Sequence, residues 1–170
     1  MELGLAQLGS DFALHFGFKV SFDRKYRLKI RPTGKNATLD GGVSSALPPD
    51  LLVNLRKLAG DESLSSPFAA MGRSGVMHTF TFGSKEGDST RVVCDMVSGS
   101  TPVDETKVLS LFIKVYDVGA AHALLCATPS LSADAKKLAG IYNMTVIEAA
   151  DRDSAVKKVA DAFRHTNRPT

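Results

Sequence analysis

Cysteine is scarce in this chain, with two in 170 residues, Cys94 and Cys126. Both fall in apolar, strand-like stretches, so they read as small buried hydrophobes rather than a disulfide framework or a metal pair. Long apolar runs are missing, and no stretch is long enough to cross a bilayer. A basic leader is missing as well, because Glu2 stands where a secretory signal would carry positive charge. The expectation is a cytoplasmic protein with no membrane partner. The chain has no Walker-type glycine loop and no dinucleotide fingerprint, so the common nucleotide-binding classes are not expected. His78 has no Cys or His at ligand spacing, so zinc is not expected either.

Acids are scarce in one place in particular. Seven of the 21 bases lie between Phe18 and Lys35, with one of the 18 acids, Asp23. The bases are Lys19, Arg24, Lys25, Arg27, Lys29, Arg31 and Lys35. The rest of the chain is left with 14 bases against 17 acids. Basic character so localised points to a patch that meets a polyanion. Otherwise the composition, 44% hydrophobic and 23% charged, is that of an ordinary globular protein with enough length for one cored domain and a small appendage. No internal repeat is present.

The same basic stretch alternates. Phe12, Leu14, Phe16, Phe18, Val20, Phe22, Tyr26, Leu28 and Ile30 all occupy even positions. Period two over this length predicts half-buried strand. A loop of Asp23, Arg24 and Lys25 would pair Phe22 with Tyr26, Val20 with Leu28 and Phe18 with Ile30, forming a hairpin with one apolar face. Its other face would carry Lys19, Arg27, Lys29 and Arg31. Two readings stay open: a solvated face whose lysines discourage edge-to-edge pairing, or a ribbon that contacts phosphates. The basic face has no interleaved aromatics, so base stacking is not expected there.

Composition then sets the organisation. Residues 1–35 form the hairpin module, and the Gly-, Pro- and Ser-rich residues 36–49 form a linker. Residues 50–165 form an α/β domain, with a tail at 166–170. Pro49 and Asp50 open a helix that stops at Gly60. Strands are predicted at 76–83 and 89–97, joined by the turn "SKEGD". Thr101 is expected to cap a helix with Pro102 first, Asp104 in its first turn, and its end at Gly119. That helix is apolar on more than one face, so it is deeply buried or packs on another subunit. A strand at 122–127, a helix at 132–141, a strand at 144–149 and a helix at 152–165 follow, and helices between strands imply parallel pairing there.

One residue breaks this pattern. Asp95 is an acid within the most apolar strand, where an ionised carboxylate is costly unless paired, bound to a cation or at a strand end. Three blocks surround it: "GRSGVMHTFTF", "VVCDMV" and "ALLCATPSLSADAKKLAGIYNMTVIEA". Together they resemble the restriction-endonuclease-like (PD-(D/E)xK) superfamily in its Mrr-type form. The resemblance implies an α/β fold with a mixed sheet flanked by helices, extended here by the N-terminal hairpin. Active members bind a divalent cation with two acids and place a lysine near the attacking water. The first acid falls on Thr81, the second on Asp95 and the lysine on Val97. Gly72, Arg73, Ser74, Gly75 and His78 keep the family pattern.

A hydroxyl and an isopropyl group cannot replace the lost carboxylate and amine. The site therefore reads as vestigial, with no cofactor, and with Asp95 as the one weak metal candidate. Lys107 or Lys114 on the following helix is the candidate for a displaced lysine. The expected function is a catalytically inactive nuclease-like domain that binds nucleic acid, DNA before RNA, in a regulatory or repair setting. Lys19, Arg27, Lys29, Arg31, Arg73, Ser74 and His78 are the expected contacts. The alternatives are a scaffold that dimerises through helix 102–118, or a divergent Mg-dependent nuclease.

Overall fold

The structure is a computed structural model that describes the backbone of residues 18–22, 28–32 and 46–166 and the side chains of residues 46–165. Two short strands come first, β1 (Phe18–Phe22) and β2 (Leu28–Pro32), paired antiparallel. Their register differs from the one read from the alternation. Phe22 faces Leu28, Val20 faces Ile30 and Phe18 faces Pro32. The slip is two residues, so apolar positions still meet apolar positions. A period of two distinguishes faces but not registers that differ by an even number. Phe12, Leu14, Phe16 and the expected loop, with Arg27, lie outside the described residues.

The α/β unit begins with α1 (Pro49–Ala59), which ends where Gly60 turns left-handed. A strand not expected from the sequence follows, β3 (Phe68–Met71), paired antiparallel with β4 (Met77–Phe80). The expected single strand over 76–83 is thus two. After Thr81 the chain continues as β5 (Phe82–Glu86), which pairs antiparallel with β6 (Ser89–Ser98). Side-chain bonds around Thr81 cause the break, because they replace the main-chain ladder there. β5 runs to Glu86, so the expected turn shrinks to Gly87 and Asp88, and Gly87 takes a positive φ.

Next is α2 (Glu105–Val118), which starts later than expected. Asp104, not Thr101, is its N-cap and accepts from the Thr106 amide at 3.1 Å. Val103 cannot be helical because its backbone bonds Ser130 and Ser132 across a bridge to Leu131. The remaining elements are β7 (His122–Thr128), α3 (Ala133–Ile141), β8 (Thr145–Glu148) and α4 (Arg152–Thr166).

The main sheet has the order β5-β6-β7-β8. The β5–β6 pair is antiparallel and the other two are parallel, so the sheet is mixed. Alternation along β6 feeds two cores. Val92, Cys94 and Met96 join Leu55, Leu124, Val159 and Phe163 beneath α1 and α4. Val93 and Val97 join Phe80, Val108, Leu111, Leu125 and Ala135 beneath α2, α3 and the β3–β4 ribbon. Each fully buried Leu, Val or Phe there contributes about 1.5–3 kcal/mol. Both cysteines lie in the first core, and burial pushes the Cys126 thiol up to about 11 and Cys94 well above its usual range.

Candidate functional site

Asp95 is an odd-numbered residue of β6, so it points into the second core, among Val93 and Val97. That core should exclude it. The charge persists there because α2 carries a polar stripe. Ser110, Lys114 and Asp117 stand at i, i+4 and i+7 among the apolar residues that follow the first turn of the helix, and all three are buried. Lys114 meets Asp95 and Asp117 meets the loop before β4.

The Lys114 ammonium is 2.9 Å from Asp95 Oδ2 and donates also to the Thr79 carbonyl at 3.0 Å. It lies 5.3 Å from the centroid of the Phe80 ring, a cation–π distance. The other carboxylate oxygen, Oδ1, accepts the Thr81 amide at 3.0 Å. Thr81 returns the favour to the strand, its Oγ1 accepting the Met96 amide at 3.0 Å. Asp95 and Lys114 are 8% and 6% exposed. The pair is therefore desolvated, and it persists only because both charges are also hydrogen-bonded to neighbours.

One helical turn on, Asp117 organises a second cluster. Its Oδ2 accepts from Ser74 Oγ at 2.5 Å and lies 2.6 Å from His78 Nε2, and its Oδ1 accepts the Ser74 amide at 2.9 Å. Burial by itself would raise this carboxyl, but the hydrogen bonds from Ser74 and His78 hold it below its usual range. An ionised Asp117 makes Nε2 of His78 the donor. His78 Nδ1 is buried without a hydrogen-bond partner. Ser74 and His78 both bond the acid and not each other, so the three do not form a nucleophile–base–acid relay. Gly72 is obligatory in this arrangement, since a Cβ there would sit 1.9 Å from Asp117 Oδ2.

The "GRSG" loop thus faces inward. Gly72 N bonds Val76 O, Arg73 N bonds Asp117 O, Ser74 N bonds the Asp117 carboxylate and Gly75 N bonds Gly72 O. No amide of the four is left to cradle a phosphate. His78 is 1% exposed, so it presents nothing to an approaching ligand. Arg73 is the exposed charged side chain of this block. Val97 is half-buried on the same face as Asp95. The basic ribbon places Lys19 opposite Arg31 and Lys29 opposite Ser21.

Lys114, a displaced-lysine candidate along with Lys107, meets Asp95. Asp117 escaped the sequence reading altogether. A signal was present, since Ser110, Lys114 and Asp117 repeat at helical spacing among apolar residues. Magnesium, which the family resemblance implies for active members, does not fit this donor set. Asp95 Oδ2 already faces an ammonium, and no group of three His, Cys, Asp or Glu side chains among the described residues could hold a metal ion.

No family model and no curated protein matches the chain. One solved structure similar to it is the crystal structure of a protein of unknown function, AF1548, with a TM-score of 0.44 and 14% sequence identity. The alignment covers 56% of each chain, so this chain spans little more than half the length of that protein. Among the described residues no helix is long and apolar enough to cross a membrane.

Proposed function

We propose that this chain is a nuclease-like domain of the restriction-endonuclease-like type that binds nucleic acid, DNA before RNA, without cleaving it. The Asp95–Lys114 pair carries the non-catalytic part of this reading. An ammonium 2.9 Å from Oδ2 supplies in a permanent form the positive charge that a metal would bring, and it carries no water for attack. Thr81 supports the same reading, since its amide and hydroxyl are both engaged with β6.

The binding part rests on the ribbon. Its register makes Lys19 and Arg31 Cα partners, which concentrates bases of the two strands in one short ribbon. A phosphate backbone that meets these bases would release counterions on binding. Fluorescence anisotropy with a labelled duplex, a labelled single strand and an RNA duplex over a salt series tests this. Binding is expected to weaken with salt, and a K29E/R31E variant to lower the log–log slope by about two. No probe should be cut with magnesium or manganese. Cleavage that D95A abolishes would refute the non-catalytic reading. An unchanged slope in K29E/R31E would make the ribbon a solvated face and leave the fold as a scaffold.

A further inference from the structure

Asp117 draws the Gly72–Val76 loop inward by its amides, and that leaves the Arg73 guanidinium pointing away, against Gly119 at the end of α2. There it lines a cleft of about 340 Å³ together with Met71, Lys85, Asp88, Ser89 and Thr90. The volume is at the lower end of the range for small-ligand sites. Arg73 and Lys85 make no ion pair among the described residues. Two cations therefore share the wall of one concavity with two hydroxyl side chains and one acid, Asp88.

We propose that this cleft binds a phosphate group. The planar fork of Arg73 suits two phosphoryl oxygens, Lys85 adds a compact second charge, and Ser89 and Thr90 supply neutral donors. Asp88 opposes the anion and sets its affinity below what the two cations alone would give. The site is separate from the vestigial one. Thr90 and Asp95 are five residues apart on β6, or roughly 17 Å at ~3.3 Å per residue. It also does not rest on the ribbon reading above, because it draws on other residues.

The test is an amide-resolved NMR titration of the full chain with inorganic phosphate at constant ionic strength, with chloride as control. Saturable shifts at Arg73, Lys85, Ser89 and Thr90 are expected. R73Q/K85Q should weaken them about tenfold or more, and D88N should strengthen them about twofold to fivefold. All three positions in these variants are exposed, and an otherwise unchanged spectrum verifies the fold. Shifts that match chloride, or an R73Q/K85Q affinity equal to wild type, would overturn the proposal. A nucleoside monophosphate and a short DNA duplex form two further arms. Cleft shifts with the duplex, lost in R73Q/K85Q but kept in K29E/R31E, assign the phosphate to a strand. Cleft shifts with the mononucleotide alone assign it to a free phosphorylated molecule.

Discussion

Replacing Lys114 by methionine isolates the one interaction on which the non-catalytic reading depends. The apolar stem survives and still packs on Phe80, while the ammonium that joins Asp95 Oδ2 to the Thr79 carbonyl is gone. What remains is a carboxylate that is 8% exposed and has lost its counter-charge, together with a carbonyl that has lost a donor. Breaking a buried pair from one side costs about 3–5 kcal/mol, because the surviving charge stays desolvated. With a urea m-value of roughly 2 kcal/mol/M, the midpoint should fall by about 2 M. Adding D95N removes the stranded charge yet keeps an oxygen for the Thr81 amide, now 3.0 Å from Oδ1. The double variant should then recover most of the loss, about 2–4 kcal/mol, since a buried ion pair is often replaceable by a neutral one. Equilibrium urea unfolding of the four proteins in the cycle measures this. A K114M loss under about 1 kcal/mol, or a double variant no more stable than K114M, would show that the pair is not the coupled structural unit described here.

Two further predictions concern the Asp117 cluster. G72A places a methyl carbon 1.9 Å from Asp117 Oδ2 and 2.5 Å from its Cγ, so the carboxylate must move and give up its bonds to Ser74 and His78. The expected loss is about 3–5 kcal/mol in urea unfolding, and a stable G72A variant would contradict the inward-facing loop. For pH, the Asp117 carboxyl is depressed below its ordinary 3.8. Its contribution to stability is therefore present above that value and is lost as pH falls through the folded value. D117N should be much less stable than wild type near about pH 6, with the gap closing toward about pH 2.5. A gap that widens in acid would reverse the assignment.

Much of the architecture was legible in the chain because it depends on local patterns. Residues 49–59 and the end of α2 at Gly119 follow from a 3.6-residue apolar period and a glycine stop. The strands of the mixed sheet follow from apolar runs with β-branched residues around Asp95. The short strand β3 was not legible, since "FAAM" has neither the length nor the alternation to stand out until β4 lies beside it. The register of β1 and β2 was not legible either, because alternation is indifferent to a slip of two.

The site divides along the same line. Sequence by itself marked Asp95 as an anomaly, because a carboxylate in an apolar strand must be compensated wherever that strand packs. Which group compensates it was a tertiary decision. Lys114 is 19 residues away on another element, and Asp117 is 43 residues from Ser74. A side chain's partner across two packed elements depends on how the helix rolls over the sheet, and no local period encodes that rotation. The inward turn of the Arg73 loop has the same origin, as its amides could only be assigned once α2 had brought a carboxylate beneath them.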